Sequence, residues 1–455
     1  MKQLMTLIGL SVIAVVAIDK HPMSTDFGRM FGDLPAYTAP SDELLHSLAE
    51  SMRDPNLPIN DNPAGVSSGF TYVGQFLDHD LTLNTTPLGE ATIDVDGMLN
   101  NRIPKLDLDS MYGGGRQGNP ELYDAVGHFK FEQPNGFDDL QRTGSGQAVL
   151  VEGRNDENLV IAQIHIAMQK LHNHFLDTGV SFTEAQQLTR WHWQWVVVHD
   201  FLPEIVGQET VDRYLSYNGA GKPRVHRENY FPGNPNRPMM PVEFSMAAYR
   251  FGHSMVRLAY VMPAGSITKT QVFNAATNDL HGGRPIPANL RIDFHNFFDF
   301  PGDPVAPGRN TSRKIDALLS ASLFFLPIGS VVPPDPPAVT SLAERNLLRG
   351  KRAGLPSYQA VARAMGIVPL TNEELGLTDP GYAGEAPLWF GLLKESEVVE
   401  NGVRLGPVGG RITAEVILTL IDVDRDSYFS APRAWVPVEG ADFRITDLLR
   451  LAGAV

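Results

Sequence analysis

The residues with the most chemistry to offer lie in the run Gly74 to Asp80 (GQFLDHD), inside an apolar segment that begins at Phe70. On a helix Gln75, Asp78 and His79 are related by i,i+3 and i,i+4 spacing and share one face, while Asp80 is turned about 100° from it. An amide, a carboxylate and an imidazole on one face can hold a small polar molecule and move a proton on it. Taken alone, the same pattern also describes a solvated face with a satisfied histidine.

Four further stretches carry reactive groups. From Ile103 the chain reads IPKLDLDSMYGGG, with Asp107 and Asp109 alternating ahead of a glycine run. Carboxylates and backbone carbonyls so arranged suit Ca²⁺, which takes six to eight oxygens, although an ordinary turn with solvated aspartates reads the same way. At 153–158, GRNDEN sets Arg154 and Glu157 at i,i+3 before a long amphipathic pattern. Arg154 could face an anion or polarise a substrate oxygen; the simpler account is helix-start chemistry, with Asn155 or Asp156 as the N-cap. In YRFGH (Tyr249 to His253), Arg250 and His253 are again at i,i+3 and Gly252 leaves room for a bulky group. One helical histidine offered to a flat prosthetic group, with an arginine for its carboxylates, is a haem-ligating arrangement. Last, RNLLRGKRAGLPSY from Arg345 supplies Asn346 as a hydrogen-bonding group and Arg349 as a charge. His165, His172, His174, His192 and His199 match neither HExxH nor another compact metal spacing, and they read as core or surface histidines.

These groups need elements to hold them. Helical periodicity is strongest at 41–53, 68–83, 156–178, 183–206, 242–258, 313–324, 339–352, 357–365 and 412–422, and Ser181 with Glu184 makes a capping-box pattern. Strand-like alternation is scarce. The chain has 455 residues, enough for a large core with a cofactor inside it. Its 42 glycines and 34 prolines fall in loops between helices with no change of composition, which favours one domain. The net charge of -15 argues against nucleic acid or an anionic membrane as partner. Cysteine is absent, so disulfides, Cys-ligated zinc, iron–sulfur clusters and thiolate-ligated or CxxCH-attached haem are excluded. Any metal must be held by His, carboxylates, carbonyls or a prosthetic group.

Residues 1–18 read as a secretory signal, with an apolar run from Leu4 to Ile18 and a cleavage pattern after Ala17; the alternative is an apolar N-terminal strand. The run is shorter than the roughly 20 residues of a membrane-spanning helix, so no stable membrane insertion is expected. The expected location is secreted or extracellular, with cytoplasmic as the alternative.

In this order and at these separations, the five elements resemble the haem peroxidases of the animal (peroxidase–cyclooxygenase) type, most closely their bacterial members, across roughly residues 60–430. The resemblance implies a mainly α chain with very little β: a single large α-helical haem-peroxidase domain at 61–455, after an N-terminal extension at 19–60. It implies haem b, with His253 as the proximal iron ligand, Asn346 as its hydrogen-bond partner, and Arg250 and Arg349 near the haem. His79 would be the distal acid–base, Gln75 its neighbour, and Arg154 the distal arginine. Asp78 and Glu157 match the carboxylates that form ester links to haem in some members. Asn158 falls where one subgroup has a sulfonium-forming Met, so that link is impossible here. Asp80, Asp107, Asp109 and the carbonyls of Ile103 and Lys105 would bind Ca²⁺; the family usually has a hydroxyl residue where Ile103 stands, so this site has one side-chain oxygen fewer. The activity implied is H₂O₂ reduction with oxidation of small donors such as halides, thiocyanate or phenols. A fatty-acid dioxygenase of the same superfamily needs a tyrosine three residues before the proximal histidine, where this chain has Arg250; Tyr249 is one residue off. A non-catalytic interaction protein on the same fold would have no reason to keep His79, Arg154 and His253. The sequence leaves the oligomeric state open.

Overall fold

A computed structural model describes residues 25–455 except 56–62, 229, 235, 237, 275–278 and 329–338, so the expected leader at 1–18 lies outside the described residues. The longer helices are α1 (Asp42–Ser51), α2 (Gly69–Leu81), α3 (Leu159–Asp177), α4 (Phe182–Val196), α5 (Leu342–Arg352), α6 (Leu388–Glu400) and α7 (Pro407–Val423). Strands are short. β1 (Thr25–Gly28) lies between β2 (Leu99–Asn100), antiparallel to it, and β3 (Met239–Pro241), parallel to it; the other strands form two-stranded ribbons. The chain is mainly α with very little β, as the sequence implied.

Local chemistry explains the helix starts. Ser41, Ser181 and Ser341 cap α1, α4 and α5, each accepting from the backbone N–H three residues on, so Ser181 does bond to Glu184 as its motif suggested. α3 begins later than expected. Its N-cap is Asn158, whose side chain accepts from the Val160 and Ile161 N–H groups, while Gly153–Asp156 forms a separate 3₁₀ turn.

Two helical expectations fare differently. The pattern at 242–258 breaks into Val242–Ser245, a 3₁₀ turn Ala248–Phe251, and Gly252–Met255. The Ser245 carbonyl is taken by Arg250 Nε at 3.0 Å in place of a helical N–H. The pattern at 313–324 does not form a helix: Thr311–Arg313 is a strand and only Ala321–Phe324 makes a 3₁₀ turn. Its backbone donors are engaged elsewhere, Ile315 N–H on Gly402 and Leu319 N–H on Met52, and the buried Arg313 pairs with Asp54 at 2.9 Å. Conversely α6 is a helix outside the expected set: Leu388 to Leu393 are buried all the way round, which leaves no amphipathic period to read.

The segment taken as an N-terminal extension packs onto the rest. Buried Glu243 accepts from Met30 N–H and Phe31 N–H at 2.9 and 3.1 Å. One apolar core runs from Phe27 to Ala452, with α7 almost wholly inside it.

Candidate functional site

In α2 every residue is buried except Gln75 and Asp78, which are partly open because they face an internal cavity of about 370 Å³. Gly74 lets α2 approach α4's continuation closely: a Cβ there would stand 3.3 Å from the Phe201 ring. The cavity wall also carries His79, Arg154, Glu157, Asn158, Arg250, His253 and Arg349, so residues 75 to 349 converge on one space.

His79 is held by an amide that sequence reasoning read only as a candidate helix cap. Its Nδ1 lies 2.8 Å from Asn155 Oδ1, and Asn155 Nδ2 lies 3.0 Å from His165 Nδ1. A carbonyl oxygen only accepts and an amide NH₂ only donates, so His79 carries its proton on Nδ1 and keeps a lone pair on Nε2. Burial, helped by the Arg154 charge, pushes the His79 pKa down to about 3, so the ring is neutral. His165, read as a core histidine, is buried and also serves this network.

Arg154 is fixed by a residue the sequence reading missed altogether. Its Nε and backbone N–H both donate to Glu152 Oε1 at 3.0 Å, its Nη2 donates to Glu152 Oε2 at 2.9 Å, and Arg102 Nη2 reaches the same oxygen at 2.6 Å. Burial alone would raise the Glu152 pKa, but the two guanidiniums hold it well below the usual range. The only sequence signal was a glutamate two residues before the arginine, and its partner Arg102 is 50 residues away.

Gln75 Nε2 donates to Glu157, and its carbonyl accepts from Asn158 Nδ2 at 3.3 Å, so Asn158 orients Gln75 as well as capping α3. Burial pushes Glu157 up to about 7, with Arg154 opposing. Burial also raises Asp78, against Arg154 and Arg250; Asp78 accepts from Thr82 Oγ1 at 3.0 Å.

Across the cavity, burial and then the Arg250 charge push His253 down to about 3. Its Nδ1 lies 2.8 Å from Asn346 Nδ2, and Asn346 Oδ1 accepts from Arg250 Nη1. Burial first, and then neighbouring guanidiniums, Arg345 for both and Arg250 for Arg349, bring Arg250 and Arg349 down to about 10 each, with Asp78 opposing at Arg250. Guanidiniums that crowd one cavity wall in this way suit an anionic guest.

A second cluster lies behind His79. Asp80, Asp107 and Asp109 bring one oxygen each to within 4.8 Å of one another. Asp80 accepts from Leu108 N–H (3.0 Å), Ser110 N–H (3.1 Å) and Ser110 Oγ (2.7 Å), and Leu108 adopts the left-handed φ of 60°. Burial and then the Asp107 charge push Asp80 up to about 7, and burial raises Asp107 and Asp109 too. Two buried carboxyls and one half-buried, drawn together against their mutual repulsion, are a set of oxygens of the kind that suits a hard cation. The Ile103 carbonyl accepts from Lys105 N–H at 2.7 Å, and the Lys105 ammonium turns away to Asp424 at 3.0 Å.

Comparisons with known proteins bear on the family and the fold. The sequence profile of the animal haem peroxidase family matches residues 98–379. Chorion peroxidase of Aedes aegypti is 30% identical over 361 residues, 72% of this chain and 41% of that protein. Thyroid peroxidase of Rattus norvegicus is 22% identical over 314 residues, 60% and 30% respectively. The chain thus spans less than half the length of these relatives. Among solved structures, peroxidase A of Dictyostelium discoideum superposes with a TM-score of 0.65 at 17% identity, over 94% of this chain and 93% of that one. A fatty acid alpha-dioxygenase of Arabidopsis thaliana gives 0.60 at 14% identity, over 94% and 76%. At these identities the structural likeness is one of fold.

Proposed function

The chain belongs to the animal haem peroxidase family, and from that premise we propose that this oxidoreductase is a peroxidase that reduces H₂O₂ and oxidises small donors such as halides, thiocyanate or phenols. The observation that carries the reading is the His79 Nε2 lone pair on a neutral ring, facing the same cavity as Arg154 and His253.

The donor set fits haem b. His253 would hold the iron, Arg250 and Arg349 would meet the propionates, and Asp78 and Glu157 are the wall carboxylates we assign to ester links. When bound, haem would supply the redox chemistry that cleaves the peroxide O–O bond and oxidises the donor. A His253 that ligates through Nε2 carries its proton on Nδ1 and needs an acceptor there. Ligation therefore calls for the Asn346 amide to present its oxygen to His253 and to release Arg250 for an anionic partner.

On peroxide, His79 Nε2 takes the proton from one oxygen and returns it to the other, so that the second leaves as water. Arg154, charged at any working pH and immobilised by Glu152, offsets the negative charge that gathers on the departing oxygen. Gln75, clamped between Glu157 and Asn158, presents a fixed amide beside His79. Ca²⁺ on Asp80, Asp107 and Asp109 would fix the end of α2 that carries His79, since Asp80 is its sequence neighbour.

Tyr249 lines the cavity, but its hydroxyl donates to the Gly74 carbonyl at 3.2 Å and position 250 is arginine, which disfavours the dioxygenase reading. The deciding experiment is the absorption spectrum of haem-supplemented protein before and after H₂O₂, followed by assays with guaiacol and iodide. A Soret band that responds to peroxide, with both donors oxidised, supports the proposal. Oxygen uptake with linoleate and no donor oxidation would establish the dioxygenase instead, and acid–acetone extraction reads out covalent attachment.

A further inference from the structure

A second aromatic site lies on the far side of α4 from the cavity, and peroxide reduction makes no use of it. Trp193 and Phe201 face α2: the Trp193 ring meets Phe76 edge-on at 5.3 Å, and Phe201 abuts Gly74 on the cavity wall. Trp195 and His199, each two residues from one of these, point about 200° away, across one helix diameter of ~10–12 Å. They open into a separate cavity of about 280 Å³, walled also by Tyr217, Tyr428 and Trp435.

His199 sits on a single π-helical turn, Val197–Phe201, interposed between α4 and Leu202–Val206. Pro203 has no N–H to give the His199 carbonyl, which accepts from Arg444 Nη1 at 2.7 Å instead. Such turns inside α-helices occur mostly at functional sites. The His199 ring stacks on Trp195 with centroids 3.9 Å apart, and its Nε2 lies 3.0 Å from the Tyr217 hydroxyl and 3.1 Å from the Tyr428 hydroxyl. Burial, with the Arg444 charge, pushes His199 down to about 4, so the imidazole is a free base. Burial pushes Tyr217 up to about 12 and Tyr428 well above the usual range, so both phenols keep their protons. A protonated phenol gives up an electron readily only if a base within hydrogen-bond reach takes its proton at the same time. His199 is such a base. Tyr428 is 2% exposed while Tyr217 is 46% exposed, so the pair leads from the interior to solvent.

We propose that Tyr428 and Tyr217, with His199 as their shared base, form a one-electron relay to the surface, at which phenolic donors too large for the main cavity are oxidised. The proposal rests on the peroxidase reading, which supplies the oxidant: the haem group after reaction with H₂O₂. One electron leaves a relay tyrosine for that oxidant, the phenolic O–H bond breaks, and its proton moves to His199 Nε2. A phenol docked at Tyr217 then returns one electron, the proton goes back from His199, and the donor departs as a phenoxyl radical with its own proton released to water. The oxidant is reduced by one equivalent.

The test uses the full haem-loaded chain as wild type, Tyr217→Phe, and Tyr217→Phe with Tyr428→Phe, substitutions that remove only hydroxyls. After one equivalent of H₂O₂ and no donor, freeze-quenched samples are read by electron paramagnetic resonance; separately, oxidation of tyramine-substituted dextran is compared with that of guaiacol. The expected result is a tyrosyl signal in the wild type, reduced about tenfold in the double variant, with dextran oxidation down about tenfold in both variants and guaiacol oxidation unchanged. A haem that reacts with peroxide while radical yield and dextran oxidation stay the same in the double variant overturns the relay alone. A chain whose haem ignores peroxide overturns the peroxidase reading and the relay with it.

Discussion

The substitution Asn155→Leu isolates the amide that sets the His79 tautomer. Asn155 is completely buried, and leucine approximates its shape without either polar group. The change removes the acceptor 2.8 Å from His79 Nδ1 and the donor 3.0 Å from His165 Nδ1. Each loss leaves a buried ring nitrogen unpaired, at a cost of about 1–3 kcal/mol, so the protein should be destabilised by about 2–6 kcal/mol. The kinetic effect is smaller and more specific. In the native site the Nε2-protonated tautomer would set the Nδ1 lone pair against the Asn155 oxygen, losing a hydrogen bond and gaining a repulsion. With that bias of about 1.4–2.8 kcal/mol gone, the two tautomers become comparable in energy, and the population able to accept a proton from peroxide falls from nearly all to about half, about twofold. Stopped-flow mixing of the haem-loaded variant with H₂O₂, followed at the Soret band, should therefore give a second-order rate constant reduced by that factor at unchanged haem content. Asn155→Asp, which keeps an acceptor opposite Nδ1, should recover most of the rate. Nitrogen-15 spectra of histidine-labelled protein report the His79 tautomer without any turnover. If nitrogen-15 spectra of the Asn155→Leu protein still showed His79 protonated on Nδ1 alone, the amide would have no part in fixing its tautomer.

The remaining expectations are simpler. His79→Ala should leave haem bound but slow the reaction with peroxide by about 10² to 10⁴-fold, a larger loss than Asn155→Leu, because the base itself is gone; unchanged stopped-flow kinetics would falsify the distal assignment. Asp107→Ala should lower Ca²⁺ content and peroxidase activity together, and equal metal content by mass spectrometry would count against the carboxylate cluster. Acid should remove the histidine contribution to the stability of the haem-free chain well above the carboxylate range, since His79, His165, His172, His192, His199 and His253 all have pKa values lowered from 6.5 to between about 3 and 4. Each binds its proton in the unfolded chain first, so this contribution falls as pH drops from about 6.5 toward 4; buried carboxyls with raised pKa, Asp80, Glu157 and Glu395 at about 7 and Asp78, Asp107 and Asp109 among others, bind protons in the native state and oppose it. The histidine contribution is read by difference: His192→Gln should lose less melting temperature than wild type between pH 6.5 and 4.5, and an equal loss would refute it.

The sequence carried the cavity residues because their roles depend on type and on short spacing. Gln75, Asp78 and His79 share a helix face wherever that helix goes, and Arg250 and His253 keep their i,i+3 relation even though the segment holding them breaks into short turns. What the spacing could not carry is the set of contacts that give those residues one protonation state and one orientation. Asn155 is 76 residues from His79, Arg102 is 50 from Glu152, and Asn158 is 83 from Gln75. Asn155 was legible only as a candidate helix cap and Asn158 only as a position that rules out a sulfonium link, yet it is Asn158 that caps α3. The start of α3 moves to Leu159 for the same reason, since residues 153–156 form a 3₁₀ turn that aims Arg154 and Asn155 at α2. The helix expected at 313–324 failed for a related cause: Arg313, Ile315 and Leu319 bond to Asp54, Gly402 and Met52, partners that no local window contains. His199 joins both cases. Its spacing from the other histidines correctly excluded a compact metal site, yet its chemistry comes from Tyr428, 229 residues away, and from a proline four residues on that opens the helix around it. A histidine without a motif is therefore better judged by what the fold sets against its second nitrogen than by its neighbours in sequence.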